Sequence, residues 1–147
     1  MSSALGKLVA QPSSEGRDLD RISHRSAWPE EFSILLLVED REQGFPILSR
    51  ILRGQYGAEG VFGIDRDSQV LLLNEIERLR KDIEFRRTQS ETREHLREAV
   101  RYWQKRNRGR INVEGVSPEA ALYGLVKMKE FIEEVLKRRW YLVNETE

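Results

Sequence analysis

The residue types that carry most enzyme chemistry are scarce in this chain. It has no cysteine and only two histidines, His24 and His95, so thiolate nucleophiles, disulfides and cysteine metal sites are excluded. Glu91 and His95 lie four residues apart, and on a helix such a pair holds a metal ion only weakly. A solvated surface pair is the simpler interpretation. No residue type in the sequence is arranged as a nucleophile with a general base. We therefore predict a non-enzyme with no catalytic residues, no resident metal and no cofactor.

One segment has the residue types that bind anions. Residues 101–110 (RYWQKRNRGR) contain five basic side chains and no acid. Basic groups contact phosphates and aromatic rings stack on bases, so this basic-aromatic cluster is a hypothesis for binding nucleic acid or an acidic protein surface. The alternative is structural, because basic residues offset the dipole at a helix C-terminus. The residues predicted to bind are Arg101, Trp103, Lys105, Arg106, Arg108 and Arg110.

Charge is balanced over the whole chain but not along it. The chain has 25 basic and 25 acidic side chains, a balance that argues against a dedicated polyanion-binding protein. Residues 30–65 carry a net charge of −4 and residues 66–110 carry +5. Such a chain can pair with an oppositely patterned partner, including a second copy of itself. The alternative is that both blocks are solvated faces of charged helices.

The basic-aromatic cluster ends a long segment, residues 67–106, that contains no Pro and no Gly. Apolar residues recur at helical spacing as far as Ile83, are absent over residues 86–95, and resume at Leu96. We predict one long charged helix whose polar middle lies in water. The alternative is a break at which Thr88 begins a capping box for a second helix.

The other elements are also predicted to be helical. A Ser-Pro pair followed by apolar residues at spacings of four and three predicts an amphipathic C-terminal helix over 117–139. Residues 28–57 predict a pair of short helices, and residues 58–66 a glycine-rich loop. Residues 1–27 have many Ser, Gly and Pro residues and no sustained period, which predicts a flexible N-terminal arm. The predicted fold class is therefore all-α, a small helical domain over 28–147 preceded by that arm.

These patterns predict a non-catalytic helical assembly or interaction protein. The predicted amphipathic helices have more apolar surface than the rest of the chain could bury. Such a protein would be a homo-oligomer or a structural or accessory subunit of a larger complex, such as a viral or phage particle. A small nucleic-acid-binding accessory protein is the alternative. The residues predicted to form the protein interface are Leu72, Ile76, Leu79, Ile83, Leu125, Met128, Ile132 and Val135.

The sequence also predicts where such a protein works. It contains no run of 18 apolar residues, so we expect no membrane partner. The first ten residues lack the apolar stretch of a signal peptide. We therefore predict a cytoplasmic location, or incorporation in a particle assembled in the cytoplasm, and expect no small-molecule substrate.

Overall fold

The computed structural model describes residues 7–13, 20–24, 28–38, 44–55, 62–109 and 113–145. Most of these residues are helical, as predicted, but the described chain also forms a four-stranded antiparallel sheet that the all-α prediction lacks. In chain order the elements are β1 (Lys7–Gln11), β2 (Ile22–Ser23), α1 (Trp28–Val38), α2 (Pro46–Gln55), β3 (Phe62–Ile64), α3 (Arg66–Arg86), α4 (Ser90–Arg106), α5 (Pro118–Arg138) and β4 (Tyr141–Glu145).

The sheet joins segments from opposite ends of the chain. Its strand order is β2-β1-β4-β3, and each neighbouring pair is antiparallel. β1 pairs with β4 along its whole length, from Lys7 opposite Glu145 to Gln11 opposite Tyr141. The two central strands therefore come from the two segments that are farthest apart in the described sequence.

The prediction of a flexible arm over residues 1–27 is wrong for β1 and β2. Leu8, Val9 and Ala10 of β1 are at most 1% exposed, and β2 pairs with β1 at the edge of the sheet. Three consecutive apolar residues are too few to show a period in the sequence, and β1 finds its hydrogen-bonding partners in β2 and β4, outside its own stretch of sequence. The strand is therefore ordered by its pairing with β4, a tertiary contact that local sequence patterns do not predict.

The predicted continuous helix over residues 67–106 is wrong, because a turn at residues 87–89 separates α3 from α4. The N-cap of α4 is Gln89, whose backbone is extended and whose side chain makes no capping hydrogen bond, so the break does not use the Thr88 capping box. The break falls where the apolar spacing is absent and packing cannot hold a straight helix. Beyond it, Leu96 is buried again.

The core lies where α5 packs against both α1 and α3. Every side chain from Phe32 to Val38 in α1 is buried, which explains why this run shows no polar face. From the sheet, Leu8, Ile64 and Leu142 join the same core. The C-terminal helix is observed over Pro118–Arg138, close to its predicted bounds.

α1 and α5 approach each other closely at Gly124. A Cβ at this position would lie 3.1 Å from both the Cβ of Glu30 and the Cδ1 of Ile34. We expect Gly124→Ala to lower the free energy of unfolding by about 1–3 kcal/mol, because overpacking outweighs the gain in helix propensity. Urea denaturation measures the change. Gly63→Ala is the matched control, since a Cβ there meets nothing within 4 Å, and an equal loss in both variants would contradict the close approach.

Candidate functional site

The eight residues predicted to form a protein interface lie in the core of the chain itself. α3 packs on α5, so the apolar seams of the two helices are buried within one molecule. In this conformation no partner can reach these side chains, and an interface must use other residues. The eight residues, each 0% exposed, are Leu72, Ile76, Leu79, Ile83, Leu125, Met128, Ile132 and Val135.

The structure divides the basic-aromatic cluster between the core and the surface. The ring of Trp103 packs edge-on against Phe32, with centroids 5.7 Å apart and an interplanar angle of 88°. Trp103 is therefore a packing residue. Arg110 lies outside the described residues. The other residues predicted to bind, all exposed, are Arg101, Lys105, Arg106 and Arg108.

A basic edge, defined as Arg93, Arg97, Arg101 and Lys105, runs along α4 beside its buried face. These residues recur every four positions, so they follow one another along one side of the helix. The first two pair with carboxylates of α5 and α4 at 3.1 and 2.8 Å. Arg101 and Lys105 have no ion-pair partner among the described residues. The sequence prediction missed Arg93 and Arg97, which the four-residue spacing could have revealed.

A groove of about 230 Å³ lies between α4 and residues 113–118, next to the start of the basic edge. Arg93 and Arg97 line it with side chains that are 43% and 63% exposed. Apart from these two arginines and Ser117, the lining residues that the structure describes are apolar. The α4 groove therefore combines an apolar surface with two cationic groups. Its apolar lining residues are Leu96, Val100, Val113, Val116 and Pro118.

The wall of the α4 groove opposite α4 is anchored to the core. Gly115 has a φ of +84°, and a Cβ there would lie 3.3 Å from the Cβ of Pro29 in α1. The backbone N–H of Ser117 donates to the Oγ of Ser33 at 3.1 Å, and the Oγ of Ser117 caps α5. The wall is thus fixed to both α1 and α5, and the shape of the groove is preformed.

A second group of titratable side chains is buried between the end of β2, α1 and α5. His24 Nε2 lies 3.9 Å from Glu31 Oε1, too far for a hydrogen bond. Lys127 Nζ lies 3.3 Å from the carboxylate of Glu30. Burial, helped by the positive charge of Lys127, lowers the pKa of His24 to about 4. Burial, helped by the negative charge of Glu30, raises the pKa of Glu31 to about 7.

Neither histidine belongs to a cluster of metal ligands. His24 packs against the ring of Phe131 at a centroid distance of 5.5 Å, and His95 lies half-buried on α4 beside the exposed Glu91. Among the described residues, no three His, Asp or Glu side chains are grouped so that they could hold a metal ion. None of the helices in this part of the chain has the length and apolar character that crossing a bilayer requires.

No family model matches this chain, and no curated protein or solved structure is similar enough to it to count as a match. The geometry of α4 and its surroundings is therefore the basis on which function is inferred.

Proposed function

We propose that this chain is a non-catalytic interaction module, an accessory subunit of a larger assembly that binds an acidic, amphipathic segment of a protein partner along α4. One observation carries the proposal: the apolar α4 groove and the basic edge lie side by side on a single helix. A segment with apolar side chains flanked by carboxylates would bury the former in the groove and pair the latter with the edge.

α4 is the helix best suited to such binding, because the chain itself uses little of its surface. Of its 17 residues, only Thr92 and Leu96 are buried. Arg101 and Lys105 can receive a carboxylate without breaking an ion pair to any residue that the structure describes. The ion pairs of Arg93 and Arg97 are exposed, and pairs of this kind contribute only about 0–1 kcal/mol. Replacing these two ion pairs by pairs with a partner's carboxylates therefore costs little free energy.

Nucleic acid is the second candidate ligand. Arg101, Lys105 and Arg108, which have no ion-pair partner in the described part of the chain, favour it, as does Tyr102, which is 58% exposed. Three exposed carboxylates of α4, those of Glu91, Glu94 and Glu98, would repel the phosphates of a nucleic acid and the carboxylates of a protein segment alike, so they favour neither ligand. The apolar groove separates the two candidates, because it has no use in binding a phosphate backbone, whereas a protein segment uses both the groove and the basic edge.

Charge reversal on the basic edge tests the proposal. We expect Arg97→Glu combined with Arg101→Glu to weaken binding of a synthetic helical peptide, with leucines on one face flanked by glutamates, by about tenfold or more. Fluorescence anisotropy of the labelled peptide at low and moderate salt measures the affinity. Lys81→Glu combined with Lys137→Glu is the matched control, because it makes the same charge change at exposed positions of α3 and α5.

The result separates the candidate functions. Equal peptide binding by the two double variants would contradict a site on α4. Binding of a single-stranded oligonucleotide in preference to the peptide, lost in the α4 variant and weakened by salt, would favour nucleic acid. Light scattering of the chain alone shows whether the partner is a second copy, since a concentration-dependent dimer would then disappear in the α4 variant.

A further inference from the structure

A separate cleft of about 170 Å³ lies between the first turn of α3 and the end of α5. It shares no lining residue with the α4 groove. Among the described residues, its lining consists of two arginines, a glutamine, a tryptophan and a tyrosine, with no acidic residue. The lining residues are Arg66, Gln69, Arg139, Trp140 and Tyr141.

The two arginines of this cleft, Arg66 and Arg139, have no ion-pair partner among the described residues. The neighbouring Arg138 differs, because its Nε lies 2.7 Å from Glu134 Oε1 and its guanidinium lies over the Trp140 ring. In a chain with no net charge, two uncompensated guanidinium groups at one cleft leave a local positive charge that favours an anion.

Two acidic residues flank Arg66 in the sequence but do not belong to the lining of the cleft. Asp65, which precedes Arg66, is occupied as the N-cap of α3 and accepts a hydrogen bond from the backbone N–H of Ser68 at 2.8 Å. Neither Asp65 nor Asp67 lines the cleft. Because Arg66 is the first residue of α3, the positive end of the helix dipole lies at the same edge.

The framework of the cleft is rigid. Gln69 is 2% exposed, and its Nε2 donates to the carbonyls of Ile64 at 3.0 Å and Trp140 at 3.2 Å. These bonds tie α3 to the end of β3 and the start of β4. Arg139 ends α5 with a φ of +57°, a left-handed conformation in which glycine is preferred. A guanidinium therefore occupies a position that helix termination alone would give to glycine.

We propose that this cleft binds the phosphate group of a small phosphomonoester that carries an aromatic ring. Two guanidinium forks match the several oxygens of a phosphate dianion and hold it by charge-assisted hydrogen bonds. The ring of Tyr141 is 45% exposed and offers a face on which the substituent can stack. The volume of the cleft equals about six water molecules at liquid density, which suits a phosphate with one small ring.

Calorimetric titration of the full chain with phenyl phosphate tests this site. We expect binding with a Kd of about 1 mM or tighter, and an affinity at least tenfold lower in Arg139→Gly. Glycine suits the left-handed conformation, so this variant removes the guanidinium and keeps the helix end. Arg66→Ala is expected to lose affinity similarly. Lys137→Ala, an exposed basic side chain of α5 that does not line the cleft, is the control and should bind as the wild type does.

Three results would overturn the assignment. They are no binding of phenyl phosphate at 10 mM, unchanged binding in both Arg139→Gly and Arg66→Ala, and equal affinities for phenyl phosphate and inorganic phosphate. Equal affinities for the two ligands would mean that the aromatic ring contributes nothing to binding. Charge reversal at Arg97 and Arg101 should leave phenyl phosphate binding unchanged, so this site and the α4 groove are tested independently.

Discussion

Leu8→Ala is expected to lower the free energy of unfolding by about 2–5 kcal/mol. Leu8 is 0% exposed and lies in β1, which pairs with a strand on each side. Shortening the side chain loses the transfer free energy of the removed atoms and leaves a cavity that the sheet and helices can only partly close. Since domains of this size are stable by about 5–15 kcal/mol, one change near the N-terminus removes a large share.

Denaturation in urea, followed by circular dichroism, measures this loss. Ser23→Ala in β2 is the control, because Ser23 is exposed and belongs to the same sheet. A flexible N-terminal arm would make the two substitutions equivalent. Equal midpoints for Leu8→Ala, Ser23→Ala and the wild type would therefore contradict the position of β1 in the core.

His24 and Glu31 are expected to give the free energy of unfolding two opposed pH dependences. The pKa of Glu31 is raised from 4.5 to about 7 in the folded chain, so its contribution to stability is present below pH 4.5 and is lost as pH rises through 7. The pKa of His24 is lowered from 6.5 to about 4, so its contribution is present above pH 6.5 and is lost as pH falls through 4. Each effect amounts to about 3 kcal/mol over its range.

Removing one group at a time separates the two effects. Relative to the wild type, Glu31→Gln should gain about 3 kcal/mol of stability between pH 4 and pH 8, because the variant has no buried carboxyl that must ionise. His24→Asn should become more stable relative to the wild type as pH falls from 7 to 4, because the variant has no buried imidazole to protonate. Urea denaturation at a series of pH values measures both. Glu133→Gln on the exposed face of α5 is the control for loss of a carboxylate.

A stability difference between Glu31→Gln and the wild type that stays constant from pH 4 to pH 8 would contradict the burial of Glu31. In the wild type the two dependences largely cancel between pH 4.5 and 6.5. A flat profile there, with a loss of stability on either side, is the expected outcome for the intact pair.

The helices could be predicted because their signals are local. For α5, a cap, a proline at the first helical position and apolar residues at spacings of three and four all lie within one stretch of sequence. The strands could not be predicted in this way. β1 and β4 are five residues each, and their backbone groups pair with each other and with the edge strands β2 and β3, all of which lie elsewhere in the sequence.

Contacts made across the chain also escaped prediction. Glu75 stands among the many charged residues of α3, yet it is 3% exposed. Its Oε1 accepts hydrogen bonds from the backbone N–H groups of Ile47 at 3.1 Å and Leu48 at 2.9 Å, which satisfies the first turn of α2. No sequence spacing marks a cap supplied by another helix. The α4 groove was missed for the same reason, because residues 113–118 form one of its walls.

The pairing of β1 with β4 also determines when the protein can finish folding during its synthesis. A ribosome makes Leu8 early, but Tyr141–Glu145 emerges only after almost all of the described chain. Until then the backbone groups of β1 on the β4 side lack their partner, and an unpaired strand edge with apolar side chains is prone to aggregation. The nascent chain therefore carries an open edge through most of translation, and we expect chaperones that bind extended apolar segments to recognise it there.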